Sequence, residues 1–212
     1  MKNNETGRSM VEMLGVLAII GVLSAGGLAG YSKAMFKHKL NSTMEQITML
    51  VTNIRTAYGQ QGNYKGLTAA KAVSLGIVPP IMGTTTLTNP FKGGVDISAA
   101  RATKTSENTA FTVTYGGLPK EACIALATAD FGSGAGSGFI GVVVGDDADT
   151  VNVGTAEVPV NDIDLYIGSG STKTTGTGQE ATTANRKEGE AYKMAAAINA
   201  CSEQATITWK FY

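Results

Sequence analysis

An uncharged run of about 20 residues near the N-terminus, 13–32, most limits how this chain can fold. It reads MLGVLAIIGVLSAGGLAGYS. A helix of this length, rising about 1.5 Å per residue, spans about 30 Å, the thickness of the hydrocarbon core of a bilayer. A secretory signal peptide has a similar apolar region, but here no clear small-residue cleavage site separates the run from a following domain. The run therefore predicts a retained, lipid-soluble helix.

Beyond Lys33 the apolar residues narrow to a stripe on one face of the same predicted helix. They recur every three or four residues, as in a helix with one buried face. The stripe consists of Phe36, Leu40, Met44, Ile47, Val51, Ile54 and Tyr58. Gly59 and Gly62, which follow the last residue of the stripe, predict the end of this helix. The pattern predicts one helix over about residues 9–58, with its second half packed on a globular head.

The composition narrows the possible functions. Lys plus Arg and Asp plus Glu number 17 each, so the net charge is zero and a phosphate-neutralising nucleic-acid binder is disfavoured. Only 16% of the residues are charged, which suits a surface packed against copies of itself. The single histidine, His38, has no partner for nucleophilic catalysis and is interpreted as a solvated helix residue.

Two short motifs resemble ligand sites but lack the neighbouring secondary structure or the residue spacing that such sites need. Residues 136–141 (GSGFIG) match GxGxxG, but FIGVVVG continues as a predicted strand rather than a helix. Asp146, Asp147 and Asp149 lack the spacing of an EF-hand loop and are interpreted as a polar turn. The sequence thus predicts no catalytic, cofactor-binding or metal-binding residue, and we do not expect an enzyme.

The rest of the chain predicts a head of short strands and helices. Runs of β-branched and aromatic residues bounded by Gly, Asn or Pro predict strands at 84–88, 95–98, 111–115, 139–144, 163–167 and 206–212. Short helices are predicted at 69–75, 119–128 and 185–200, the first capped by Thr68. The low-complexity residues 168–184 are interpreted as a surface loop, without a second domain.

The residues ahead of the apolar run carry the most specific signal, GRSMVE at 7–12. A short polar leader ending in Gly, then four residues, Glu and an apolar helix, resembles the class III signal of type IV prepilins. The resemblance implies that prepilin peptidase cuts between Gly7 and Arg8, and that Arg8 becomes the N-methylated first residue. Family members usually begin the mature chain with an apolar residue, so Arg8 departs from the pattern.

Glu12 would be the fifth residue of that mature chain. A charge within a membrane span costs about 2.5–3.5 kcal/mol on insertion scales, unless a cation meets it. The resemblance implies that Glu12 pairs with the N-terminal amine of a neighbouring subunit and so fixes the axial register during assembly. The simpler alternative is a glutamate that only complements the dipole at the helix N-terminus.

The head resembles that of type IVb pilins. The likeness rests on residues 64–68 (YKGLT), the 89–94 turn (NPFKGG), Pro119 with Cys123 on a short helix, and Cys201 before a terminal strand. In that family the two cysteines bond, and the export that the N-terminus implies favours a disulfide over two buried thiols. The expected bond brackets residues 123–201, and the chain-entropy model gives it about 4–5 kcal/mol.

Together these features predict a pilin fold of the α+β class with one disulfide. A long N-terminal helix, first membrane-spanning and then amphipathic, would pack on an antiparallel β-sheet head. The expected segments are a leader at 1–7, a transmembrane and polymerisation helix at 8–32, an amphipathic helix at 33–58 and a head at 59–212.

The resemblance implies a structural subunit of a type IV pilus, held in the inner membrane by a single pass with its head in the periplasm. It would polymerise into an extracellular filament for adhesion, motility, conjugation or DNA uptake. Expected partners are copies of itself, prepilin peptidase, the assembly platform protein and ATPase, and an outer-membrane secretin; no specific nucleic acid is evident. A type II secretion pseudopilin or a minor pilin shares this architecture. A membrane-anchored periplasmic enzyme or binding protein is a different class, and would need a ligand cluster that the sequence does not show.

Replacing Gly7 with Leu should block leader removal, because the peptidase would need a small residue at this position. The mass of wild-type subunits from assembled filaments should correspond to a chain that begins at Arg8, with or without a methyl group. Gly7→Ala keeps a small residue, and we expect it to be at least partly cleaved. Filament subunits that still begin at Met1, or that begin after Ala25, would contradict the prepilin interpretation.

Overall fold

The computed structural model describes residues 6–100, 107–132, 138–145 and 194–212. Its helices are α1 (Thr6–Tyr58), α2 (Ala69–Ser74), α3 (Lys120–Ala127) and α4 (Met194–Ala200), with one 3-10 turn at Pro80–Met82. Its strands are β1 (Val95–Ala100), β2 (Ala110–Leu118), β3 (Phe139–Gly145) and β4 (Ala205–Phe211). They form an antiparallel sheet in the order β1-β2-β4-β3, so the last strand in the chain lies inside the sheet. The chain divides into two compact units, Met1–Asn41 and Ser42–Tyr212.

The first unit consists, in its described part, of the N-terminal portion of α1. This helix begins at Thr6, slightly earlier than the predicted residue 9, and ends at Tyr58 as predicted. It continues through Gly26, Gly27 and Gly30 as α-helix. The side chains at 10–34 are all exposed, which distinguishes this portion from the rest of the helix.

In the second unit, the last turns of α1 bury one face in the head. Ile47, Leu50 and Ile54 are 0% exposed, and their spacing of three and four residues places them on one face. Leu50 lies outside the predicted stripe, whereas Met44 in that stripe is only half-buried. The buried face is therefore rotated slightly from the one that the sequence predicted.

Aromatic contacts join this part of α1 to the sheet. The ring centroids of Tyr58 and Tyr64 lie 5.7 Å apart, and those of Tyr64 and Phe111 lie 4.8 Å apart. Trp209 on β4 is 0% exposed and meets Tyr115 of β2 edge to face at 5.7 Å. Tilted and edge-to-face pairs of this kind add about 0.5–1.5 kcal/mol beyond area burial. They connect α1, β2 and β4 in one core.

The opposite face of the sheet carries polar side chains that are also buried. The hydroxyls of Thr114 on β2 and Thr208 on β4 are hydrogen-bonded at 2.9 Å. Lys210 is only 4% exposed, and burial lowers the pKa of its ammonium group to about 8. Polar and apolar side chains alternate along β4, but both faces of this strand are buried.

Four sequence predictions need comment here. Residues 84–88 do not form the predicted strand: Gly83 turns the chain with φ 98°, and the Thr88 amide donates to the Met82 carbonyl at 2.8 Å. Only Thr88 makes an isolated bridge, to Gly94. The predicted strand at 163–167, and residues 185–193 of the last predicted helix, lie outside the described residues. The Thr68 cap is confirmed, because its hydroxyl accepts from the Lys71 amide at 3.2 Å.

The 89–94 turn is organised by one buried asparagine. The Asn89 side-chain amide donates to the Gly116 carbonyl at 2.8 Å, and its oxygen accepts from the amides of Phe91 and Gly93 at 2.9 and 3.0 Å. The turn thereby lies directly against β2. A Cβ atom at Gly93 would overlap the Gly116 carbonyl oxygen, whereas one at Gly94 would meet nothing within 4 Å.

Gly93→Ala should therefore lower the free energy of unfolding by about 1–3 kcal/mol, as overpacking does. Gly94→Ala is the matched control, and we expect a change within about 0.5 kcal/mol. Urea unfolding followed by fluorescence of Trp209, the one tryptophan of the chain, measures both. Equal stability of the two variants would contradict the close approach of the turn to β2.

Candidate functional site

The most unusual surface of the molecule is the N-terminal part of α1. It exposes large apolar side chains on every side, with exposed fractions from 52% at Ile20 to 75% at Val22. They are Met10, Val11, Met13, Leu14, Val16, Leu17, Ile19, Ile20, Val22, Leu23, Leu28 and Tyr31. This helix is long and apolar enough to cross a membrane, and the window that meets this criterion has a mean hydropathy of 2.1 and is 0% buried. An exposed apolar surface of this kind marks a site that another molecule covers.

The predicted processing and assembly residues lie at the start of this surface. Gly7 and Arg8 belong to the helical backbone of α1, and Glu12 is an exposed side chain among apolar neighbours. The first turn of α1 contains no acidic residue, and Glu12 lies beyond it.

The predicted disulfide is present in the head. Cys123 on α3 is bonded to Cys201, with the two Cα atoms 5.8 Å apart and a sequence separation of 78. Both residues are buried, at 0% and 4% exposure. The bond fastens α3 to the residue that precedes β4 by a few positions.

Arg55 on α1 contacts the C-terminal end of β4. This contact was not predicted from the sequence. Its Nε donates to the Tyr212 carbonyl at 3.0 Å, and its guanidinium lies 5.6 Å from the centre of the Phe211 ring. Gly138 lies directly beneath this guanidinium, since a Cβ atom there would overlap it. Burial raises the pKa of the nearby Tyr64 hydroxyl, and the charge of Arg55 opposes that rise.

A groove runs beside this arginine on one flank of α1. It encloses about 270 Å³, and its lining includes Met44, Thr48, Thr52, Arg55, Phe131 and Phe211. Asp130 also lines the groove. The Nη2 atom of Arg55 is buried and has no hydrogen-bond acceptor among the described residues.

The weaker sequence motifs lie away from these features. Gly138 precedes β3, and Phe139–Gly145 is a strand, as the sequence predicted. His38 is exposed on α1. Within the described part of the chain, no group of three or more His, Cys, Asp or Glu side chains could hold a metal ion. Asp146, Asp147 and Asp149 lie outside the described residues.

A long helix whose second half lies on an antiparallel sheet, with a disulfide near the last strand, is the architecture expected of a type IV pilin. Comparison with known proteins agrees at the level of sequence. The family profile of Bundlin matches residues 33–162. The major structural subunit of the bundle-forming pilus from Escherichia coli O127:H6 is 30% identical over 139 residues, which cover 63% of this chain and 69% of that protein.

Two further similarities come from Vibrio cholerae. The toxin coregulated pilin of serotype O1 is 28% identical over 169 residues, covering 76% of this chain and 72% of that protein. The crystal structure of TcpA, a type IV pilin of the El Tor biotype, aligns with a TM-score of 0.47 and 19% identity over 82% of this chain and 99% of that one. The chain thus belongs to the Bundlin family of type IVb pilins, whose members are structural subunits of pili.

Replacing both cysteines with serine should lower the free energy of unfolding of the head by about 4–5 kcal/mol, because the unfolded chain then loses a long covalent loop. Urea unfolding of the detergent-solubilised chain, followed by Trp209 fluorescence, gives this difference. Wild-type protein with reductant should lose a similar amount. Free thiols in the native protein, labelled by alkylation without reductant, would contradict the bond.

Proposed function

We propose that this chain is the major subunit of a type IVb pilus, made as a prepilin and cleaved between Gly7 and Arg8. The exposed apolar surface at the N-terminal part of α1 is the observation that carries the proposal. Burial of each large apolar side chain stabilises by about 1.5–3 kcal/mol, so about a dozen of them require a cover other than water. The inner membrane provides that cover before assembly, with the head in the periplasm. Neighbouring copies of the same helix provide it in the filament.

Glu12 gives this apolar packing a defined register. Apolar helices can slide past one another at little cost, because their contacts are not directional. A carboxylate among apolar side chains has a strong preference for one position, where a cation meets it. The cation is the α-amine of Arg8 in a neighbouring subunit, created when the leader is removed. Cleavage and polymerisation are thereby linked, because an uncleaved chain lacks this amine.

The role is structural rather than enzymatic, and other proteins supply the chemistry of assembly. Prepilin peptidase removes the leader, and the new N-terminal residue, Arg8, is methylated. An assembly platform protein and its ATPase extract subunits from the inner membrane, and an outer-membrane secretin passes the filament to the cell surface. The family relationship and the exposed helix support this sequence of events.

Glu12→Gln should abolish filaments while leaving cleavage and membrane insertion intact. The substitution keeps the shape of the side chain but leaves the neighbour's amine without its counter-charge, and losing one partner of a buried pair costs about 3–5 kcal/mol. Because the cost recurs at every subunit, polymerisation should fail. The measurements are filament yield after shearing and subunit level in the membrane fraction.

Glu45→Gln is the matched control, since Glu45 is an exposed glutamate on the same helix, within its second half. We expect this variant to form filaments at the wild-type level. Normal filament yield from Glu12→Gln would contradict the register role. In that case Glu12 would contribute no more than a few tenths of a kcal/mol through the helix dipole.

A further inference from the structure

Two exposed lysines follow the apolar portion of α1, at the end that leads into the head. Lys33 and Lys37 are four residues apart, so they are neighbours on one face of the helix. Both side chains are exposed, and so is that of Tyr31 just before them, at 64%. Lys39 is half-buried and is not counted with them. We call Lys33 and Lys37 the basic pair.

The basic pair lies in a part of the helix whose sequence has no acidic residue. Residues 13–44 contain neither Asp nor Glu. The next acidic residue along the chain is Glu45, eight residues beyond Lys37. On α1 this separation corresponds to about 12 Å along the helix axis and about 80° around it. The basic pair is therefore a local concentration of positive charge.

The helix fixes the distance between the basic pair and the other end of the membrane span. Lys33 comes 21 residues after Glu12, which is about 31 Å along an unbroken α-helix. This distance matches the hydrocarbon thickness of a bilayer, and each headgroup region adds about 5–8 Å. Lys37 lies one turn further along, about 6 Å beyond Lys33. A bilayer that covers residues 13–32 therefore places the two ammonium groups among the headgroup phosphates, which long lysine side chains also reach by extending along the helix.

The side of the membrane on which the basic pair lies is unusual. Cytoplasmic flanks of membrane spans carry an excess of Lys and Arg, whereas the basic pair is on the flank that leads into the periplasmic head. This placement works against the usual orientation bias, which indicates that the two ammonium groups make a favourable contact after insertion. Tyr31 lies at the same end of the span, where aromatic side chains favour the interface between membrane and water.

We propose that the basic pair binds the headgroups of anionic phospholipids in the periplasmic leaflet of the inner membrane. These lipids have a net negative charge at the phosphate, whereas the cation of a zwitterionic headgroup offsets that charge. Hydrogen bonds from an ammonium group to a phosphate are charge-assisted and therefore strong. The contact extends the apolar surface of α1 into the headgroup region and holds the helix at one depth in the membrane. It rests on the proposed function, because it requires the head to lie in the periplasm.

Energy transfer from the helix to labelled lipids tests this contact. In the full-length chain, Tyr31→Trp places a donor beside the basic pair, and the acceptor is phosphatidylglycerol or phosphatidylcholine with a pyrene-labelled acyl chain. In phosphatidylcholine vesicles with the same small fraction of either label, transfer should show about a twofold enrichment of phosphatidylglycerol around the helix. Each cation near an anionic surface strengthens binding about fivefold, and averaging over all the lipids around the helix lowers this value. Raising the salt to about 1 M should remove the enrichment, because the Debye length then falls to about 3 Å. The chain with Tyr31 intact gives the contribution of Trp209 alone.

Three double variants, each made in the Tyr31→Trp chain, identify the residues responsible. Lys33→Gln/Lys37→Gln should lower the enrichment to about one, because glutamine keeps the helix propensity of lysine without its charge. Lys33→Arg/Lys37→Arg should retain the enrichment, since arginine stays charged and binds phosphate. Lys65→Gln/Lys71→Gln is the matched control: it removes the same charge from exposed positions of the head and should leave the enrichment unchanged.

The outcomes separate this inference from the proposed function. A chain that resists extraction from the vesicles by alkaline carbonate, yet transfers equally to both lipids, would overturn the headgroup contact alone. Enrichment that persists in Lys33→Gln/Lys37→Gln would overturn it too, because other residues would then select the lipid. An equal loss in Lys65→Gln/Lys71→Gln would do the same, because net charge alone would then account for the effect. A chain that does not insert into vesicles at all would overturn both proposals.

Discussion

The burial of the apolar side chains of α1 is the constraint on which the rest of the molecule depends. The two portions of this helix differ in how those side chains are covered. Near its C-terminus the helix is amphipathic, and the head covers its one apolar face at Ile47, Leu50 and Ile54. Near its N-terminus the helix is apolar all round, and the described side chains at 10–31 remain exposed. A single uninterrupted helix thus combines a one-sided buried surface with an apolar surface that is exposed all round. Its pattern changes from all-round to one-sided at about Lys33, where the charged residues begin.

The head is closed by its last strand, and both ends of that strand are fastened. Before β4, Cys201 is bonded to Cys123 on α3. After β4, the Tyr212 carbonyl accepts from Arg55, and Phe211 lies beneath the same guanidinium. The strand β4 lies between β2 and β3, and the disulfide connects it to α3, whereas Arg55 connects it to α1.

Much of this architecture could be predicted from local patterns, because the spacing of apolar residues in the sequence matches the spacing of the side chains that the fold buries. The helix end at Tyr58, the helices α2, α3 and α4 and the strands β1 to β4 follow from spacing and from Gly and Pro signals. The strand prediction at 84–88 was wrong because β-branched residues favour a strand only where a partner strand is available. Arg55 was missed because its partner is 157 residues away, and nothing in its neighbourhood indicates that contact. The groove was missed for the same reason, since α1, the 130–131 segment and β4 meet only in the folded head.

We propose that the exposed part of α1 becomes the core of a filament. A helical reconstruction of sheared wild-type filaments by electron cryomicroscopy tests it most directly. Residues 8–31 of neighbouring subunits should pack together at the filament axis with the heads outside, and the Glu12 carboxylate should lie beside the Arg8 α-amine of another copy. A filament held together by the heads alone, with residues 8–31 exposed or absent, would contradict it.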